Sequence, residues 1–551
     1  MLMKQNTSKS FSIFSILMLL LFFFPSNVLA QSSSGSPDFI TSMIVATVII
    51  VFGAIVFVTD SLLQLEGKRQ LEGKDIKVDA SLFPKNLNGN AADLPSYIPK
   101  DRYLKLRRGF DIKLEGKPEE KIIETPHVTR YSVSPMDFHG IAPIPKVVPE
   151  EGDAVLAGDE LFFDKRNPEI KFVAPVSGEY IGLERAEKRA VKEVMVLADK
   201  EIKFRELPQL DINVAERTDI VDFLKKYGGW VHLRQRPFDT IPNPEDIPRD
   251  IFISTFDTAP LAPNLNFSTQ GEEAAFQAGI DMLNKLTDGT VYLGLDGRAK
   301  EVPSPVFADA KNVEKYWFKG KHPAGNVGVQ IHHIKPIKKG DVVWYLHPHD
   351  VITLGRMLTE RRYNTERLVA LTGAEISPNF YTRIRPGANM GELLSAVEFK
   401  EENVRVVSGD VLTGKKKSND EFLGFFEDQV TVLLEGDYYE PFGWLLPQEV
   451  RPSISPTFPG FIFPDMEYRA DTNSHGERRA FVVTGQYEEV LPMDIYPQHL
   501  VKAIMTNDFE RMEGLGIYEM SEEDIALCEF VCTSKMPLQQ ILREGLEIVN
   551  E

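Results

Sequence analysis

Asp250-Ile-Phe-Ile-Ser-Thr255 is a short run of apolar and β-branched residues, and it decides the fold of the central part of the chain. Residues 272–286 follow with small and apolar residues at helical spacing, and Gly289-Thr-Val-Tyr-Leu-Gly294 is a second strand-like run. A strand, a helix and a strand joined by short connections predict a parallel sheet. With a helical pattern over residues 216–227, these runs predict a Rossmann-like α/β domain at residues 205–365.

Residues 108–204 consist of short β-type runs separated by glycine and proline. The turns Glu151-Gly-Asp153 and Ala157-Gly-Asp159 flank Ala154-Val-Leu156, and Ala174-Pro-Val-Ser-Gly-Glu179 follows. Glycine permits such tight turns between short strands. The pattern resembles the barrel-sandwich half-motif of biotinyl and lipoyl carrier domains, although the lysine motif that those carriers modify has no counterpart. We therefore predict a barrel-sandwich-like β domain without a covalent cofactor.

Residues 366–450 show a hairpin, a helix and a strand in that order. The hairpin strands are Val369-Ala-Leu-Thr-Gly373 and Tyr381-Thr-Arg-Ile-Arg385, a helix begins at Gly391, and Val404-Arg-Val-Val407 is the next strand. This order is typical of a β-grasp, SLBB-like domain. Residues 451–551 are predicted to be mostly helical, with helices at residues 498–505, 522–531 and 538–549. The fold class is thus multidomain, combining α/β and β domains.

The N-terminal part has two apolar runs. Residues 1–30 have basic residues, a short apolar core and a small residue at the end, which predicts a signal peptide. Residues 39–59 carry no charge and are long enough to span roughly 30 Å of hydrocarbon, so residues 31–60 are predicted to hold a periplasmic stub and a transmembrane helix. Residues 61–107 are predicted to be a linker. Lysine and arginine are absent between the two runs and frequent after the second, so the body is expected on the cytoplasmic side of the membrane, whether the first run is cleaved or retained.

Composition limits the classes of function. The chain has 43% hydrophobic and 26% charged residues, as an ordinary globular protein does. Two cysteines in 551 residues argue against a disulfide scaffold and for a reducing compartment. The net charge of −19 argues against nucleic acid as a partner.

From Phe110 onward the chain resembles the A subunit of the bacterial Na+-translocating NADH:quinone oxidoreductase. The matching stretches occur in family order over most of the body. They include Gly109-Phe-Asp-Ile-Lys-Leu-Glu-Gly-Lys-Pro118, Leu233-Arg-Gln-Arg-Pro-Phe238, Asp257-Thr-Ala-Pro-Leu261, His322-Pro-Ala-Gly-Asn-Val-Gly328, Val407-Ser-Gly-Asp-Val-Leu-Thr-Gly414 and Leu527-Cys-Glu-Phe-Val-Cys532. The N-terminal anchor departs from the family, whose A subunit is usually peripheral.

The resemblance implies a fold similar to the flavin- and NADH-binding subunit of respiratory complex I. That relative uses a glycine-rich loop to approach phosphates, whereas the nearest stretch here, Gly294-Leu-Asp-Gly297, is better interpreted as a turn. We therefore predict that dinucleotide binding has been lost. Cys528 and Cys532 are too few for a [4Fe–4S] cluster and are interpreted as small buried residues, with an interchain cluster as the alternative. FAD, FMN and iron–sulfur centres are expected in partner subunits, and no catalytic residue, bound cofactor or metal is assigned to this chain.

The family implies a role in quinone binding, with ubiquinone or menaquinone as the substrate. A quinone needs an apolar slot and donors for two carbonyl groups. Arg234 and Arg236 are the predicted donors, Pro237 holds the turn and Phe238 stacks on the ring. The second predicted wall combines Tyr131, Met136 and Phe138. The alternative for both is an ordinary role in surface ion pairs and core packing.

Five histidines lie close together in the sequence, at positions 322, 332, 333, 347 and 349. Their spacing neither supplies nor forbids a metal site, and we interpret them as a polar loop at the mouth of the sheet. The predicted function is a quinone-interacting subunit of a Na+-exporting NADH:quinone reductase, in contact with the other subunits and the lipid bilayer. The alternatives are a non-catalytic scaffold in the same complex and a tethered flavin-dependent NADH dehydrogenase, which a stoichiometric flavin spectrum would reveal.

Overall fold

The computed structural model describes Thr47, Val51 and residues 94–298, 300–440, 451–454 and 466–550. Contacts divide the chain into residues 1–94 and residues 95–551, and the description below concerns the second unit. Within the described part of the chain, no helix combines the length and apolar character needed to cross a bilayer. The predicted signal peptide lies outside the described residues, and so does the predicted span at 39–59 apart from Thr47 and Val51.

The first strand corrects the predicted linker. Strand β1 (Tyr103–Lys105) pairs in parallel with residues 317–319 at the edge of a sheet, so the chain is already folded before residue 107. The backbone N–H of Leu106 then donates to the carbonyl of Lys319 at 2.8 Å. Three residues are too few to show a strand period, and only pairing with a distant segment makes them a strand.

The β domain is built from two small antiparallel sheets. Its strands are β2 (Arg130–Val133), β3 (Lys146–Val147), β4 (Ala154–Val155), β5 (Glu160–Phe163), β6 (Lys171–Val173), β7 (Gly178–Arg185) and β8 (Val191–Ala198). One sheet has the order β2-β8-β7-β4 and the other the order β3-β5-β6. Gly152 and Gly158 adopt φ values of 96° and 95°, which glycine tolerates in tight turns. Phe162 and Phe172 stack between the strands with ring centroids 4.6 Å apart. The predicted barrel-sandwich domain is confirmed.

The α/β domain surrounds one six-stranded sheet. Its elements are α1 (Arg217–Lys226), β9 (Arg234–Arg236), β10 (Ile251–Ser254), α2 (Leu265–Ser268), α3 (Glu273–Asn284), β11 (Val291–Asp296), α4 (Pro305–Ala308), β12 (Glu314–Lys319), α5 (Val327–Ile334), β13 (Val343–Leu346) and α6 (Pro348–Thr359). The sheet order is β1-β12-β11-β10-β13-β9, with every neighbouring pair parallel except β13 and β9. The predicted parallel α/β sheet is confirmed.

The strand order reverses in the middle of this sheet. From β10 the chain proceeds through β11 to β12 on one side, and then returns to place β13 on the other side of β10. The loops that follow β10 and β13 therefore lead away from each other. In open α/β sheets, a crevice suited to ligands forms at such a switch point.

The third domain has a mixed five-stranded sheet. Its elements are β14 (Arg367–Thr372), β15 (Ile376–Ser377), β16 (Phe380–Ile384), α7 (Met390–Leu394), β17 (Glu398–Phe399), β18 (Val404–Ser408), β19 (Lys415–Lys417) and β20 (Gln429–Leu434). The order is β16-β14-β20-β18-β19, and β14 pairs in parallel with β20 at the centre. β15 and β17 form a separate two-stranded ladder. The predicted order of hairpin, helix and strand is confirmed.

The C-terminal region packs helices against both the sheet and the N-terminal segment of the body. These helices are α8 (Tyr487–Val490), α9 (Pro497–Met505), α10 (Phe509–Gly514), α11 (Glu522–Val531) and α12 (Leu538–Asn550). Leu500, Leu527 and Leu542 are fully buried in the apolar core that these helices form. A capping box, in which Ser521 and Asp524 bond each other's backbone N–H groups, begins α11.

Candidate functional site

A cavity of about 220 Å³ lies at the switch point of the α/β sheet. Ser254 at the end of β10 and Leu346 at the end of β13 line it, which is where the sheet topology predicts a crevice. We call it the switch-point cavity. Its side chains include six acidic residues: Asp257, Asp350, Asp410, Glu427, Asp428 and Glu523.

The carboxyl groups of this cavity influence one another. The pKa of Asp257 is raised to about 6 by the protein atoms packed around its carboxyl group and by the charges of Asp410 and Asp428, although the residue itself is exposed to solvent. Burial likewise raises the pKa of Glu427 to about 8, again with Asp410 and Asp428 contributing. Like charges in a poorly solvated space favour the protonated acids. Such a cavity disfavours a phosphate group.

The stretch that we interpreted as a turn is mostly strand. Gly294 lies within β11, and only residues after Asp296 form the turn. A Cβ on Gly294 would lie 1.9 Å from Oε1 of Gln330 on α5, so glycine here permits close packing of the helix on the sheet. This packing explains the glycine without a phosphate ligand. The loss of dinucleotide binding itself stays a prediction.

Two of the five clustered histidines line the switch-point cavity. His322 follows β12 and His347 follows β13, which fits the predicted polar loop at the mouth of the sheet. His322 is 4% exposed, its Nδ1 lies 3.2 Å from the Thr258 hydroxyl, and its Nε2 has no hydrogen-bond partner among the described residues. Burial lowers the pKa of His322 to about 4, so this imidazole is neutral at physiological pH.

The other three histidines do not line this cavity, although the ring centroid of His349 lies 5.5 Å from that of His347. His332 and His333 lie on α5, and His349 is buried within α6 with its Nε2 3.2 Å from the Ser268 hydroxyl. Among the residues that the structure describes, no group of three or more histidine, cysteine or acidic side chains is arranged to hold a metal ion.

A second cavity of about 380 Å³ lies where four parts of the body meet. We call it the junction cavity. His139 of the β domain, Arg234 of β9, Phe426 of the loop before β20 and Arg543 of α12 each contribute to its wall. Residues shared with the switch-point cavity form the partition between the two spaces: Arg234, Tyr345, Thr413, Phe426, Glu427 and Glu523.

Among the residues predicted from the sequence to bind quinone, Arg234 is the one that lines both cavities. Its guanidinium carbon lies 4.8 Å from the ring centroid of Phe426 and 5.3 Å from that of Tyr345. Asp239 accepts a hydrogen bond from Nη2 and pairs with its charge. The side chain is 26% exposed, so part of the guanidinium can still meet a ligand in either cavity.

Phe138 lies in the same aromatic group. Its ring centroid is 5.5 Å from that of Phe426 and 4.9 Å from that of Phe425, and it also packs edge-on against Phe172. Phe138 is therefore buried behind the cavity wall and supports Phe426. The sequence predicted Phe138 as a wall residue, and the structure places it one ring behind the wall.

Arg236 does not line either cavity and is held in a buried ion pair. It is 1% exposed, and Nη1 donates to Asp524 Oδ2 at 3.0 Å while Nη2 donates to Glu523 Oε1 at 2.5 Å. Its guanidinium also lies over the ring of Tyr345. Arg236 joins the N-terminus of α11 to the sheet, so it is not a free donor for a ligand.

The remaining predicted residues are spread apart. Pro237 follows a cis peptide bond and Phe238 packs edge-on against Tyr518, with centroids 6.1 Å apart. Tyr131 is buried within β2 and Met136 is 55% exposed. None of these four described residues lines the switch-point or the junction cavity. Tyr131, Met136 and Phe138 thus do not form one wall, because successive positions in β2 and the turn after it face different surroundings.

One segment of this site was not predicted from the sequence, and it supplies Phe426 and Glu427, two of the six residues that line both cavities. Gly424-Phe-Phe-Glu-Asp428 places two aromatic residues and two acids together before β20, and Lys415-Lys-Lys417 forms β19. Lys415 and Lys417 also line the junction cavity. The available signal in the sequence was two aromatic residues followed directly by two acids in one short loop.

Cys528 within α11 and Cys532 directly after it are both buried, in agreement with their interpretation as small buried residues. The Tyr487 hydroxyl lies 2.8 Å from the sulfur of Cys532. Burial raises the pKa of the Cys528 thiol, so it is protonated at neutral pH.

Three family models match successive parts of the chain. They are the NqrA N-terminal barrel-sandwich hybrid domain at residues 104–199, the NqrA second alpha/beta domain at residues 215–363 and the NQRA C-terminal domain at residues 368–419. Together they match the three folded domains described above in the same order.

Curated relatives match over nearly their full length. The A subunit of the Na(+)-translocating NADH-quinone reductase of Yersinia pestis bv. Antiqua is 35% identical over 451 residues, covering 81% of this chain and 99% of the relative. The corresponding proteins of Saccharophagus degradans and Neisseria meningitidis serogroup B are 35% and 34% identical, each with 81% of this chain and 99% of the relative covered.

A solved structure of an NAD+-reducing [NiFe]-hydrogenase in the H2-reduced state also matches, at 11% identity and a TM-score of 0.29. The match covers 42% of this chain and 52% of that chain. A likeness of this size carries no argument about function.

Proposed function

The chain belongs to the NqrA family, whose members form the A subunit of the Na(+)-translocating NADH-quinone reductase, and from that premise we propose that it binds the quinone in the junction cavity. The observation that carries this proposal is the position of Arg234, whose guanidinium lies beside the ring of Phe426 on the wall of this cavity. A planar aromatic face and a fixed positive charge meet there.

The chemistry of a quinone fits these groups. The flat headgroup stacks on an aromatic ring such as Phe426, and its two carbonyl oxygens accept hydrogen bonds. Arg234 remains charged at every relevant pH and stabilises the negative charge that develops on an oxygen during reduction. Lys415 and Lys417 line the same cavity and are further donors.

The wider proposal places this chain in a complex that transfers electrons from NADH to ubiquinone or menaquinone and exports Na+. We place the flavins and the iron–sulfur centre in partner subunits, and we assign no complete active site to this chain. The basic residues that follow the apolar run at 39–59 support a body on the cytoplasmic side. The run itself supports an anchor in the lipid bilayer.

Binding of a quinone analogue to the purified assembled complex tests the proposal. Arg234→Gln removes the charge, and Phe426→Leu removes the aromatic face while keeping an apolar side chain. Each change should weaken binding of a short-chain photoreactive ubiquinone analogue about tenfold, or about 1.4 kcal/mol. Photolabelling of the unaltered complex should reach residues of the junction cavity.

Arg405→Gln is the matched control. Arg405 pairs with Glu435, is 32% exposed and lines a different cavity, so its removal should leave analogue binding unchanged. Labelling confined to other subunits, together with unchanged affinity in the Arg234 and Phe426 variants, would refute quinone binding here. That outcome would favour the alternative of a non-catalytic scaffold.

A further inference from the structure

We propose that Glu427 is a proton donor to the quinone as it is reduced. This inference deepens the proposed function and rests on quinone binding in the junction cavity. Glu427 is the acidic residue that immediately follows Phe426, and it lines both the junction cavity and the switch-point cavity. It therefore lies on the partition between the proposed quinone site and a carboxyl-rich space.

The backbone holds Glu427 at this partition. Its carbonyl accepts a hydrogen bond from Arg367 Nη2 at 2.8 Å, and its N–H donates to the carbonyl of Gly424 at 3.3 Å. A Cβ on Gly409 would lie 2.5 Å from Glu427 Oε2, so the carboxyl group lies close against the backbone of the opposite loop. Gly409 has a φ of +99°, which favours glycine on its own account.

The surroundings keep the carboxyl group protonated at neutral pH. Burial raises its pKa to about 8, with Asp410, Asp428 and Asp137 contributing in the same direction and Lys415 opposing them. Asp410 lies in the loop after β18, Asp428 immediately before β20, Asp137 in the turn after β2 and Lys415 on β19. Arg234 and Glu523 complete the charged groups that line both cavities. An acid with a pKa near the working pH can both give up and regain a proton.

After Glu427 has lost its proton, a new proton can reach it through the switch-point cavity, which it also lines. Asp257 has a pKa of about 6 and lines the same cavity. The Nε2 of His322 is a buried polar atom of this cavity without a partner in the described part of the chain, and leaving such an atom unpaired is unfavourable. This independent observation indicates that the cavity accommodates a hydrogen-bonding species such as water, through which protons can pass.

The proposed proton transfer supplies one of the two protons that quinone reduction consumes. Reduction of a quinone to a quinol requires two electrons and two protons, and the electrons come from NADH through the complex. The O–H bond of Glu427 breaks as an O–H bond forms on one quinone oxygen, which leaves a carboxylate. That carboxylate regains a proton from solvent by way of the switch-point cavity, and the second quinone oxygen takes its proton from solvent.

Glu427→Gln in the assembled complex is the direct test. Glutamine has the shape of the neutral acid but cannot release a proton, so quinone reduction at pH 7.5 should fall by about 10²-fold. Affinity for the quinone analogue should change less than about twofold, and NADH oxidation by a soluble one-electron acceptor should be unaffected because electrons enter in partner subunits. Glu398→Gln, at an exposed position on β17, should leave all three measurements unchanged.

The pH profile separates a proton donor from a structural residue. Quinone reduction should decline as pH rises through the pKa of Glu427. Asp410→Asn removes the neighbouring charge that contributes most, so this decline should move to lower pH by on the order of one unit. Full quinone reduction in Glu427→Gln with an unchanged pH profile would overturn the inference while leaving quinone binding intact. Unchanged analogue binding in every variant of the junction cavity would instead overturn the proposed function.

Discussion

Two arginines that are two residues apart in the sequence have different roles because of what covers them. Arg234 and Arg236 both lie over the ring of Tyr345, yet only Arg236 is covered by the N-terminus of α11. The sequence around β9 has two arginines next to an aromatic residue, and this local pattern was sufficient to predict Arg234 as a site residue. It contains no information about the distant acids Glu523 and Asp524, so the role of Arg236 could not be predicted.

Arg236→Ala should therefore lower the stability of the protein. The change leaves Asp524, which is fully buried, without its cation, and breaking a buried pair costs about 3–5 kcal/mol. Urea denaturation of the purified protein, followed by tryptophan fluorescence, measures the loss as a lower midpoint. Adding Asp524→Asn should restore part of it, because the second change removes the unpaired charge.

Arg102→Ala is the control for an exposed ion pair. Arg102 and Glu314 are 36% and 42% exposed, and such pairs contribute at most about 1 kcal/mol. Equal effects of the two arginine substitutions would contradict the structural role of Arg236.

Glu193 predicts a pH dependence of the β domain. This residue is 1% exposed and accepts a hydrogen bond from the Ser132 hydroxyl at 2.6 Å, and burial raises its pKa to about 7. The folded state then binds more protons than the unfolded state between about pH 4.5 and 7, so the free energy of unfolding falls as pH rises through this window. Glu193→Gln should remove that fall. The free energy of unfolding of the variant, relative to that of the unaltered protein, should therefore be higher at pH 8 than at pH 4 by on the order of 1–3 kcal/mol.

Urea midpoints between about pH 4 and pH 8, for Glu193→Gln and for the unaltered protein, test the effect. Glu184→Gln is a suitable control, since Glu184 is 49% exposed on the neighbouring strand. A constant difference between the midpoints of Glu193→Gln and the unaltered protein over this range would rule out a raised pKa at Glu193.

At the scale of elements, local patterns predicted most of the regular structure. The helical pattern at residues 216–227 corresponds to α1, and the predicted helix at 522–531 corresponds to α11. Apolar periodicity and capping residues are local, which explains this agreement. β1 was missed for the opposite reason, because its three residues become a strand only beside β12.

Gly294→Ala tests how closely α5 must approach β11. The new Cβ would lie 1.9 Å from Oε1 and 2.6 Å from Cδ of Gln330, a residue that is 2% exposed. Gln330 also donates to the Ser254 hydroxyl at 2.8 Å at the edge of the switch-point cavity. We expect overpacking to cost about 1–3 kcal/mol, measured by urea denaturation. Gly514→Ala, within α10 and with nothing within 4 Å of the new Cβ, should cause no loss of stability.

At the scale of the whole molecule, the proposed site exists only where separate domains meet. The junction cavity takes Arg234 from the α/β domain, Phe426 from the β-grasp domain and Arg543 from the last helix. Each domain type could be predicted from its own residues. Their relative placement depends on buried pairs such as Arg236 with Asp524, which join segments far apart in the sequence, and a single sequence does not contain that information.

The N-terminal residues give the last prediction. The relatives align over 99% of their length to 81% of this chain, so roughly a fifth of this chain has no counterpart in them. The family models begin at residue 104, and the uncharged run at 39–59 precedes them. If that run is an anchor added to a body that assembles as its relatives do, a chain beginning at residue 95 should still join the complex and support quinone reduction.

Expressed without partner subunits, the full chain should sediment with membranes and resist alkaline extraction, whereas the shortened chain should not. Failure of the shortened chain to assemble would show that the N-terminal residues contribute to docking, and membrane retention of the shortened chain by itself would show that the body binds lipid independently of the run.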